Sequence, residues 1–301
     1  MDTYYKKVFM NQYGNFELKK KPAYTEVLDE VKRLYSDASR DNKILSAPKS
    51  ADPEEERWYN NLLDYRLIKI NKHFGDTCDK TFLDVGCGAG RALYFFSTKG
   101  FQVTGIDMVD AVDEQYRNGK FEFYLGDVNR IISNFIHKGT KFDVIHCDSV
   151  LEMINKPEES IDLFNKILNP NGVLICRIAN SFSPLHKYLY ETGSLTDTFW
   201  VYEDAGVINY FNRKGLQKLF ESNGFKCIDC YSDSYIDFSL FNENTNYYTH
   251  PEVGKSCHKA RVRLENLFHD ISVEKTLEMS KIMADMELGR FMVFFFIKSE
   301  E

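Results

Sequence analysis

The chain has 301 residues, of which 43% are hydrophobic and 15% aromatic, and its formal net charge is −7. This length fits one large domain with additions or two small domains, and the apolar content excludes general disorder. The negative charge argues against a nucleic-acid backbone as the main partner, because phosphate binding requires a basic surface. No signal-peptide pattern opens the sequence, and the most apolar run, residues 291–297, is too short to span a bilayer. We therefore expect a cytoplasmic protein.

Residues 1–78 precede the predicted core and show helical periodicity in two places, residues 27–35 and residues 55–74. The second helix has a clear start signal, because Asp52 and a proline are followed by three glutamates. Residues 40–50 read as a loop. Four aromatic residues near the terminus either cover the active site or pack against the first helix: Tyr4, Tyr5, Phe9 and Tyr13. We predict that this segment is a helical extension that acts as a lid.

The stretch TFLDVGCGAG organises the rest of the chain. Its first half, residues 81–85, is a short apolar β run, and a helical pattern follows at residues 91–99. Between them, Gly86, Gly88 and Gly90 turn the chain sharply. Glycines reach backbone angles closed to other residues and let a ligand approach the main chain. A strand, a glycine turn and a helix form the first half of a nucleotide-binding β-α-β unit.

Acidic residues end the next two predicted strands. Asp107 follows residues 101–106, and Asp127 lies in a Gly-Asp-Val triplet after residues 121–125. Asp107 is placed to accept both ribose hydroxyls of a nucleoside, and Asp127 offers a carboxylate to an adenine amino group. A nicotinamide cofactor and S-adenosylmethionine both carry adenosine. The G-C-G-A-G spacing, the position of Asp84 before the first glycine and the Gly-Asp-Val triplet favour the methyl donor.

Strands and helices alternate through the rest of the core, which predicts a parallel sheet with helices on both faces. Further strands are predicted at residues 142–147, 173–178, 225–231 and 290–298. Helices are predicted at residues 112–116, 129–137, 158–168 and 213–222. Residues 169–172 are predicted as a turn and residues 180–209 as irregular chain. Within the domain at residues 79–301, residues 236–289 form an insertion that begins as polar loop, continues as one or two helices and serves as a second lid.

These motifs resemble those of the class I, S-adenosylmethionine-dependent methyltransferases. DVGCGAG is similar to the family's first motif, Asp107 to its ribose-binding acid and Asp127 to its adenine-side motif. FDVIHCDSVLEMI at residues 142–154 resembles the fourth strand and its helix, and LNPNGVLICRIAN at residues 168–180 resembles the fifth strand. The resemblance covers residues 80–230. It implies an α/β, Rossmann-like sheet of seven mostly parallel strands, with the last strand antiparallel beside strand five.

The resemblance also implies S-adenosyl-L-methionine as cofactor and S-adenosyl-L-homocysteine as product. The residues that it assigns to cofactor binding are Asp84, Gly86, Cys87, Gly88, Gly90, Asp107, Met108, Asp127, Val128 and Cys147. The chain departs from many relatives at Leu151-Glu152-Met153, where they have Leu-Glu-His. A family role for that histidine is therefore not carried over.

Catalytic groups are expected just after strands four and five, because ligands of open α/β sheets bind beyond the carboxyl ends of the strands. Asp148 is the candidate general base for an acceptor hydroxyl, or it orients the hydroxyl while His186 takes the proton. The alternatives are a helix cap for Asp148 and a surface position for His186. His146 reads as a core histidine, and Glu152 as a helical residue paired with a cation. Asp148 and Asn180 could offer two oxygen ligands there but no third is visible, so no metal site is predicted and a metal-dependent enzyme is the minor alternative.

The leading hypothesis is methyl transfer to a small polar acceptor, at the oxygen of a hydroxyl. Aromatic residues outside the core suit a sugar or polysaccharide precursor: Tyr188, Tyr190, Trp200, Tyr202 and Tyr210. The alternatives are N-methylation of an amine or natural product, a protein that binds the cofactor without turnover, and a nicotinamide oxidoreductase, which the glycine spacing disfavours. The sequence leaves the acceptor and the oligomeric state open.

Overall fold

The computed structural model of this protein describes residues 5–35, 52–196 and 206–300. In that part of the chain the strands are β1 Val8–Met10, β2 Phe16–Leu18, β3 Thr81–Val85, β4 Gln102–Asp107, β5 Phe121–Leu125, β6 Phe142–Asp148, β7 Leu168–Ala179, β8 Asn209–Tyr210, β9 Phe225–Asp233 and β10 Phe291–Lys298. The α-helices are α1 Tyr24–Tyr35, α2 Pro53–Phe74, α3 Arg91–Thr98, α4 Val128–His137, α5 Pro157–Ile167, α6 Pro184–Glu191, α7 Arg213–Glu221, α8 Gly254–Ile271 and α9 Val273–Asp285.

Seven strands form the main sheet in the order β5-β4-β3-β6-β7-β10-β9. The strands from β5 to β7 run parallel to one another, and β10 is antiparallel to both of its neighbours. This confirms the predicted α/β, Rossmann-like sheet with an antiparallel last strand beside strand five.

The sheet is buried on both faces, because its strands are apolar at successive positions. Along β3, Leu83 and Val85 belong to one buried cluster, whereas Phe82 belongs to a second cluster on the opposite face. Successive side chains of a strand point to opposite faces of the sheet. A strand that is apolar at every position therefore needs helices packed on both faces. Helices α4, α5 and α7 cover the first face, and α2, α3 and α8 cover the second.

The turn predicted at residues 169–172 lies inside a longer strand. Pairing of β6 with β7 runs from Phe142 opposite Leu168 to Val144 opposite Val173, so the register shifts there. The extra residues are accommodated as an irregularity within β7, as in a β-bulge.

The N-terminal extension is helical, as predicted, but it begins with a hairpin that the sequence did not reveal. Strand β2 pairs with β1 and with β8, which gives a separate three-stranded sheet. Helix α2 starts where predicted, because the Asp52 carboxylate accepts a hydrogen bond from the Glu54 amide at 3.1 Å and a proline follows. The loop predicted at residues 40–50 lies outside the described residues.

The insertion before β10 consists of short 3-10 turns followed by α8 and α9, and α8 packs against α2 of the extension. Helix α6 occupies part of the segment predicted as irregular. It begins at a Ser-Pro pair, and the Ser183 hydroxyl accepts a hydrogen bond from the His186 amide at 3.2 Å. Among the described helices, none combines the length and the hydropathy that crossing a membrane requires.

Candidate active site

A cavity of about 600 Å³ opens at the carboxyl ends of β3, β4 and β6. Loops of the sheet form its floor, and three helices outside the sheet complete its wall. Helix α1 contributes Val27 and Val31, α2 contributes Tyr59 and Arg66, and α8 contributes Arg261. Both the N-terminal extension and the insertion therefore border the cavity.

The glycine turn after β3 forms one end of the cavity. Gly86 and Gly88 have φ angles of 69° and 50°, a left-handed region that favours glycine. A Cβ atom on Gly86 would lie 2.2 Å from Cγ2 of Val150. The Asp107 carboxylate accepts hydrogen bonds from the Gly88 amide at 2.8 Å and the Val109 amide at 3.0 Å. Burial raises the pKa of Asp107 against the opposing effect of these bonds.

The structure brings most of the predicted cofactor residues to the cavity wall. Those that line it are Asp84, Gly86, Cys87, Gly88, Asp107, Met108, Asp127 and Val128. Gly90 and Cys147 do not, which corrects their assignment as contact residues. Gly90 lies behind the turn, where a Cβ atom would be 2.8 Å from Val112. Cys147 is completely buried in β6 opposite Cys176. Asp127 has a further role, because its carboxylate caps α4 through the Arg130 amide at 2.9 Å.

A chain of buried polar side chains links α2 to the floor of the cavity. The Arg66 guanidinium donates to Nε2 of His146 at 2.7 Å, and Nδ1 of His146 lies 2.6 Å from Asp84. Arginine has only donors, so Nε2 must accept and Nδ1 must carry the proton that it donates to Asp84. His146 is therefore a buried histidine with both nitrogens engaged, as the sequence indicated, although it also borders the cavity.

Asp148 is held between two arginines. Its carboxylate accepts hydrogen bonds from Arg66 at 2.9 Å and Arg177 at 3.0 Å, and from the Ser149 hydroxyl at 3.0 Å. Burial acts to raise the pKa of Asp148, but Arg177 and Arg66 outweigh it and hold the pKa well below its ordinary value. These contacts argue against two of the three predicted roles, and the third, orienting an acceptor hydroxyl, stays a prediction. Asp148 caps no helix, and a carboxylate with so low a proton affinity is a poor general base.

His186 lies away from the cavity, which corrects its assignment to catalysis. It is buried on α6, and its Nε2 atom lies 2.9 Å from the Asp237 carboxylate. Asn180 ties its loop to the segment before β10, as its amide donates to the carbonyls of Glu287 at 2.8 Å and Gly289 at 3.1 Å. Among the described residues, no three His, Cys, Asp or Glu side chains converge as metal ligands would.

Of the aromatic residues chosen for a sugar ring, the three that the structure describes do not line the cavity. Tyr188 is exposed and stacks on Phe241, Tyr190 packs in a separate cluster, and Tyr210 is buried in β8 of the small sheet. Trp200 and Tyr202 lie outside the described residues. The early aromatics Tyr5, Phe9 and Tyr13 are also absent from the wall, and Tyr4 is not described. The aromatic side chains that do line the cavity are Tyr24, Trp58, Tyr59, Tyr247 and Phe291.

Within the described part of the chain Glu152 has no cation partner, contrary to the prediction. One carboxylate oxygen accepts a hydrogen bond from the Ala179 amide at 2.9 Å, and the other is buried without a hydrogen-bond partner among the described residues. Burial, with a smaller contribution from Asp148, raises the pKa of Glu152 to about 7. The side chain is therefore largely protonated in the folded protein below neutral pH.

Replacing Glu152 with glutamine is expected to remove a pH dependence of stability. The wild type binds a proton on folding between the ordinary pKa near 4.5 and the folded pKa of about 7, so its free energy of unfolding falls as pH rises through that window. The loss by pH 8 is about 3 kcal/mol, from about 1.4 kcal/mol per pKa unit. Urea unfolding from pH 5 to pH 8 should show Glu152→Gln gaining stability relative to wild type. A constant difference would contradict this, and Glu158→Gln, at an exposed glutamate of α5, is the matched control.

The cavity wall also carries residues that the sequence did not single out. Arg177 lies near the end of β7, Phe291 begins β10, Arg290 precedes β10, and Arg261 and His258 come from α8. Arg66 offered one signal, because it interrupts an apolar stripe at helical spacing between Leu62 and Ile70. The other residues are assembled by tertiary contacts alone.

Comparisons with known proteins agree with this architecture. Residues 42–229 match a family model described as "Methyltransferase domain". A ubiquinone biosynthesis O-methyltransferase of Histophilus somni is 36% identical over 122 residues, which are 38% of this chain and 51% of that protein. The enzyme of the same name from Actinobacillus pleuropneumoniae serotype 5b is 37% identical over 125 residues, 39% of this chain and 52% of that protein. The chain thus spans about half the length of the curated relatives it matches.

One solved structure covers nearly the whole chain. It is the 1,6-didemethyltoxoflavin-N1-methyltransferase of Burkholderia thailandensis with 1,6-didemethyltoxoflavin and S-adenosylhomocysteine bound. Its TM-score is 0.52 and its sequence identity 12%, with 98% of this chain and 100% of that chain covered. At that identity the likeness concerns the fold.

Proposed function

The chain belongs to the methyltransferase domain family, and from that premise we propose that it transfers a methyl group from S-adenosyl-L-methionine to a hydroxyl of a small polar acceptor. One observation carries the proposal. The glycine turn, Asp107 and Asp127 border a cavity that is also lined by helices of the extension and of the insertion. The names of the curated relatives support oxygen as the acceptor atom.

The residues present fit the cofactor. Asp107 ends β4 with a buried carboxylate that can still accept from a ribose, since a carboxylate has about four acceptor positions and two are used by amides. Gly86 leaves no room for a side chain. Asp127 and Val128 would border the adenine, and the amides at the start of α3, with Arg91, would hold the methionine carboxylate. Helix α1 packs on the residues after Asp107 and would close that end.

The sulfonium of the bound cofactor supplies a methyl group that is already electrophilic. The task of the chain is to align the acceptor hydroxyl and to exclude water. We assign Asp148 a positioning role, because Arg66 and Arg177 fix its carboxylate at the cavity wall, where it can accept a hydrogen bond from the hydroxyl. Residues 1–78 and 236–289 act as lids through α1, α2 and α8.

A weakly basic carboxylate has consequences for the acceptor. A sugar hydroxyl is a weak acid and needs a stronger base than Asp148, whereas a hydroxyl on an unsaturated ring loses its proton more easily. Trp58, Tyr59 and Phe291 give the cavity flat apolar surface for a ring. A sugar derivative is one acceptor of the proposed kind, and we favour a hydroxylated unsaturated ring.

Calorimetry and an acceptor panel test the proposal. We expect S-adenosylhomocysteine to bind and NADH not to bind. Turnover, followed as S-adenosylhomocysteine release, is compared between matched phenols and anilines. Release with anilines alone would favour N-methylation, and cofactor binding without release for any acceptor would favour a binding protein.

Replacing Asp107 with alanine is expected to weaken S-adenosylhomocysteine binding by about 1.5–3 kcal/mol for each hydrogen bond lost from a charged group. The same change removes the carboxylate that holds the Gly88 amide, so the turn itself loosens. Isothermal titration calorimetry on the folded variant measures the effect. Asp110→Ala, at an exposed aspartate three residues further on, is the control and should bind as wild type does. Equal affinities for both variants would reject the ribose assignment.

A further inference from the structure

Five arginines line the cavity: Arg66, Arg91, Arg177, Arg261 and Arg290. Each is paired with a carboxylate, from Asp148, Glu56, Asp233, Glu265 and Asp237 respectively. Of these carboxylates only Asp148 lines the cavity. The five pairs therefore carry no net charge, and four of their five carboxylates lie behind the cavity wall. Four carboxylates outside these pairs also line the cavity, from Asp84, Asp107, Asp127 and Glu159.

The guanidinium groups of Arg177 and Arg261 are each held in one position by hydrogen bonds and by stacking on an aromatic ring. Both Nε and Nη2 of Arg177 donate to Asp233, at 2.8 Å and 3.0 Å, and its guanidinium stacks 3.6 Å from the centre of the Phe291 ring. Arg261 lies 4.1 Å from the centre of the Trp58 ring and donates to His258 at 2.9 Å. Both arginines are more than nine-tenths buried. A guanidinium binds oxyanions through its N–H edge. Nη1 of Arg177 also donates to Asp148 at 3.0 Å, so a bound oxyanion would share the guanidinium with the carboxylates that orient it.

Tyr59 lies among these arginines at the cavity wall, where the Arg91 guanidinium stacks 3.9 Å from the centre of its ring. Burial raises the pKa of the Tyr59 phenol, while Arg91, Arg261 and Arg177 each act to lower it. Three guanidiniums from α3, α8 and β7 thus act on one hydroxyl of α2. Because the net shift is upward, Tyr59 keeps its proton and offers a donor to the same space.

We propose that the acceptor carries an oxyanion, a carboxylate or a phosphate, and that Arg177, Arg261 and Arg290 bind it together with Tyr59 inside the cavity. This inference rests on the proposed function and narrows its substrate class. Arg91 starts α3 directly after the glycine turn and belongs with the methionine carboxylate. Arg261 comes from the insertion, and Arg290 immediately precedes β10. If the methionine carboxylate is held by Arg91, these two arginines require a second anion as their ligand.

The test uses the full chain saturated with S-adenosylhomocysteine, at constant ionic strength. Inorganic phosphate and benzoate are the probes, and they distinguish a phosphate from a carboxylate. We expect at least one probe to bind without lowering the affinity for S-adenosylhomocysteine. The Arg261→Gln variant should bind that probe tenfold or more weakly than wild type does. Arg261→Lys keeps the charge and should retain part of the affinity. If Arg261→Gln does not fold, Arg290→Gln provides the same measurement.

The matched control is Arg57→Gln. Arg57 also joins α2 to α8, through Asp270, but it lies outside the cavity, so probe binding should change by less than twofold. Two results would overturn the proposal. Either neither probe binds the wild-type complex, or the bound probe competes with S-adenosylhomocysteine, which would assign the arginines to the cofactor. Failure of S-adenosylhomocysteine itself to bind would instead count against the proposed function.

Discussion

Replacing Gly86 with alanine is expected to weaken S-adenosylhomocysteine binding by tenfold or more and to lower the free energy of unfolding by about 2–5 kcal/mol. About 1–2 kcal/mol comes from placing a side chain in the left-handed region. A further 1–3 kcal/mol, roughly, comes from overpacking, since the new Cβ would lie 2.2 Å from Cγ2 of Val150, a β-branched side chain with little freedom to move. The glycine turn must therefore shift, and the backbone amides that border the cofactor site shift with it. Calorimetry and urea unfolding measure the two effects.

Gly139→Ala separates the strain from the contact. Gly139 has a φ of 68°, against 69° for Gly86, but a Cβ there would meet nothing within 4 Å. It follows α4, outside the cavity wall. This variant should lose only the conformational part, about 1–2 kcal/mol, and bind S-adenosylhomocysteine as wild type does. Normal binding by Gly86→Ala would mean that the turn does not hold the cofactor.

Replacing Arg177 with methionine should destabilise the fold by about 3–5 kcal/mol, the usual effect of removing one partner from a buried ion pair. Asp233, whose side chain is 6% exposed, would keep its charge and lose both hydrogen bonds from Arg177. Asp148 would retain Arg66. The methionine fills most of the space of the arginine stem, so lost volume contributes little. Urea unfolding at neutral pH gives the number.

Two further variants identify the cause. Arg177→Met combined with Asp233→Asn removes the uncompensated charge and should recover part of the loss. Arg117→Met breaks the exposed pair with Asp110, in which both side chains are over two-fifths exposed, and should cost less than about 1 kcal/mol. If the double variant is no more stable than Arg177→Met alone, packing against Phe291 explains the effect instead.

The sheet and the cofactor end could be predicted because their causes are local in sequence. Strand β3 reads as an apolar run bounded by glycines, and β5 has its predicted bounds, residues 121–125. Asp107 and Asp127 follow strands directly, and parallel strands bring such ends to one edge. The hairpin of β1 and β2 escaped prediction because each strand has three residues, and one partner of β2 lies about two hundred residues away.

The acceptor end could not be predicted because its residues depend on tertiary contacts. Arg66 looks like an ordinary helical charge until α2 packs against β6, 80 residues later in sequence. His186 was misassigned for the same reason. It follows a strand end that borders the site, but α6 turns it toward Asp237 in the insertion. The partner that decides the role of each side chain is remote in sequence.

Strand β10 lies between β7 and β9, so β9 has no other neighbour in the sheet. During synthesis, β9 leaves the ribosome while α8 and α9 have still to be made, and at roughly 5–20 residues per second that interval lasts several seconds. A nascent chain lacking β10 can form the parallel strands, but β9 then has no strand to pair with, and its backbone N–H and C=O groups stay unpaired. The cavity wall is also completed late, because Arg290 and Phe291 are synthesised together with β10. Chaperone dependence is therefore expected to be greatest for chains arrested between α8 and β10.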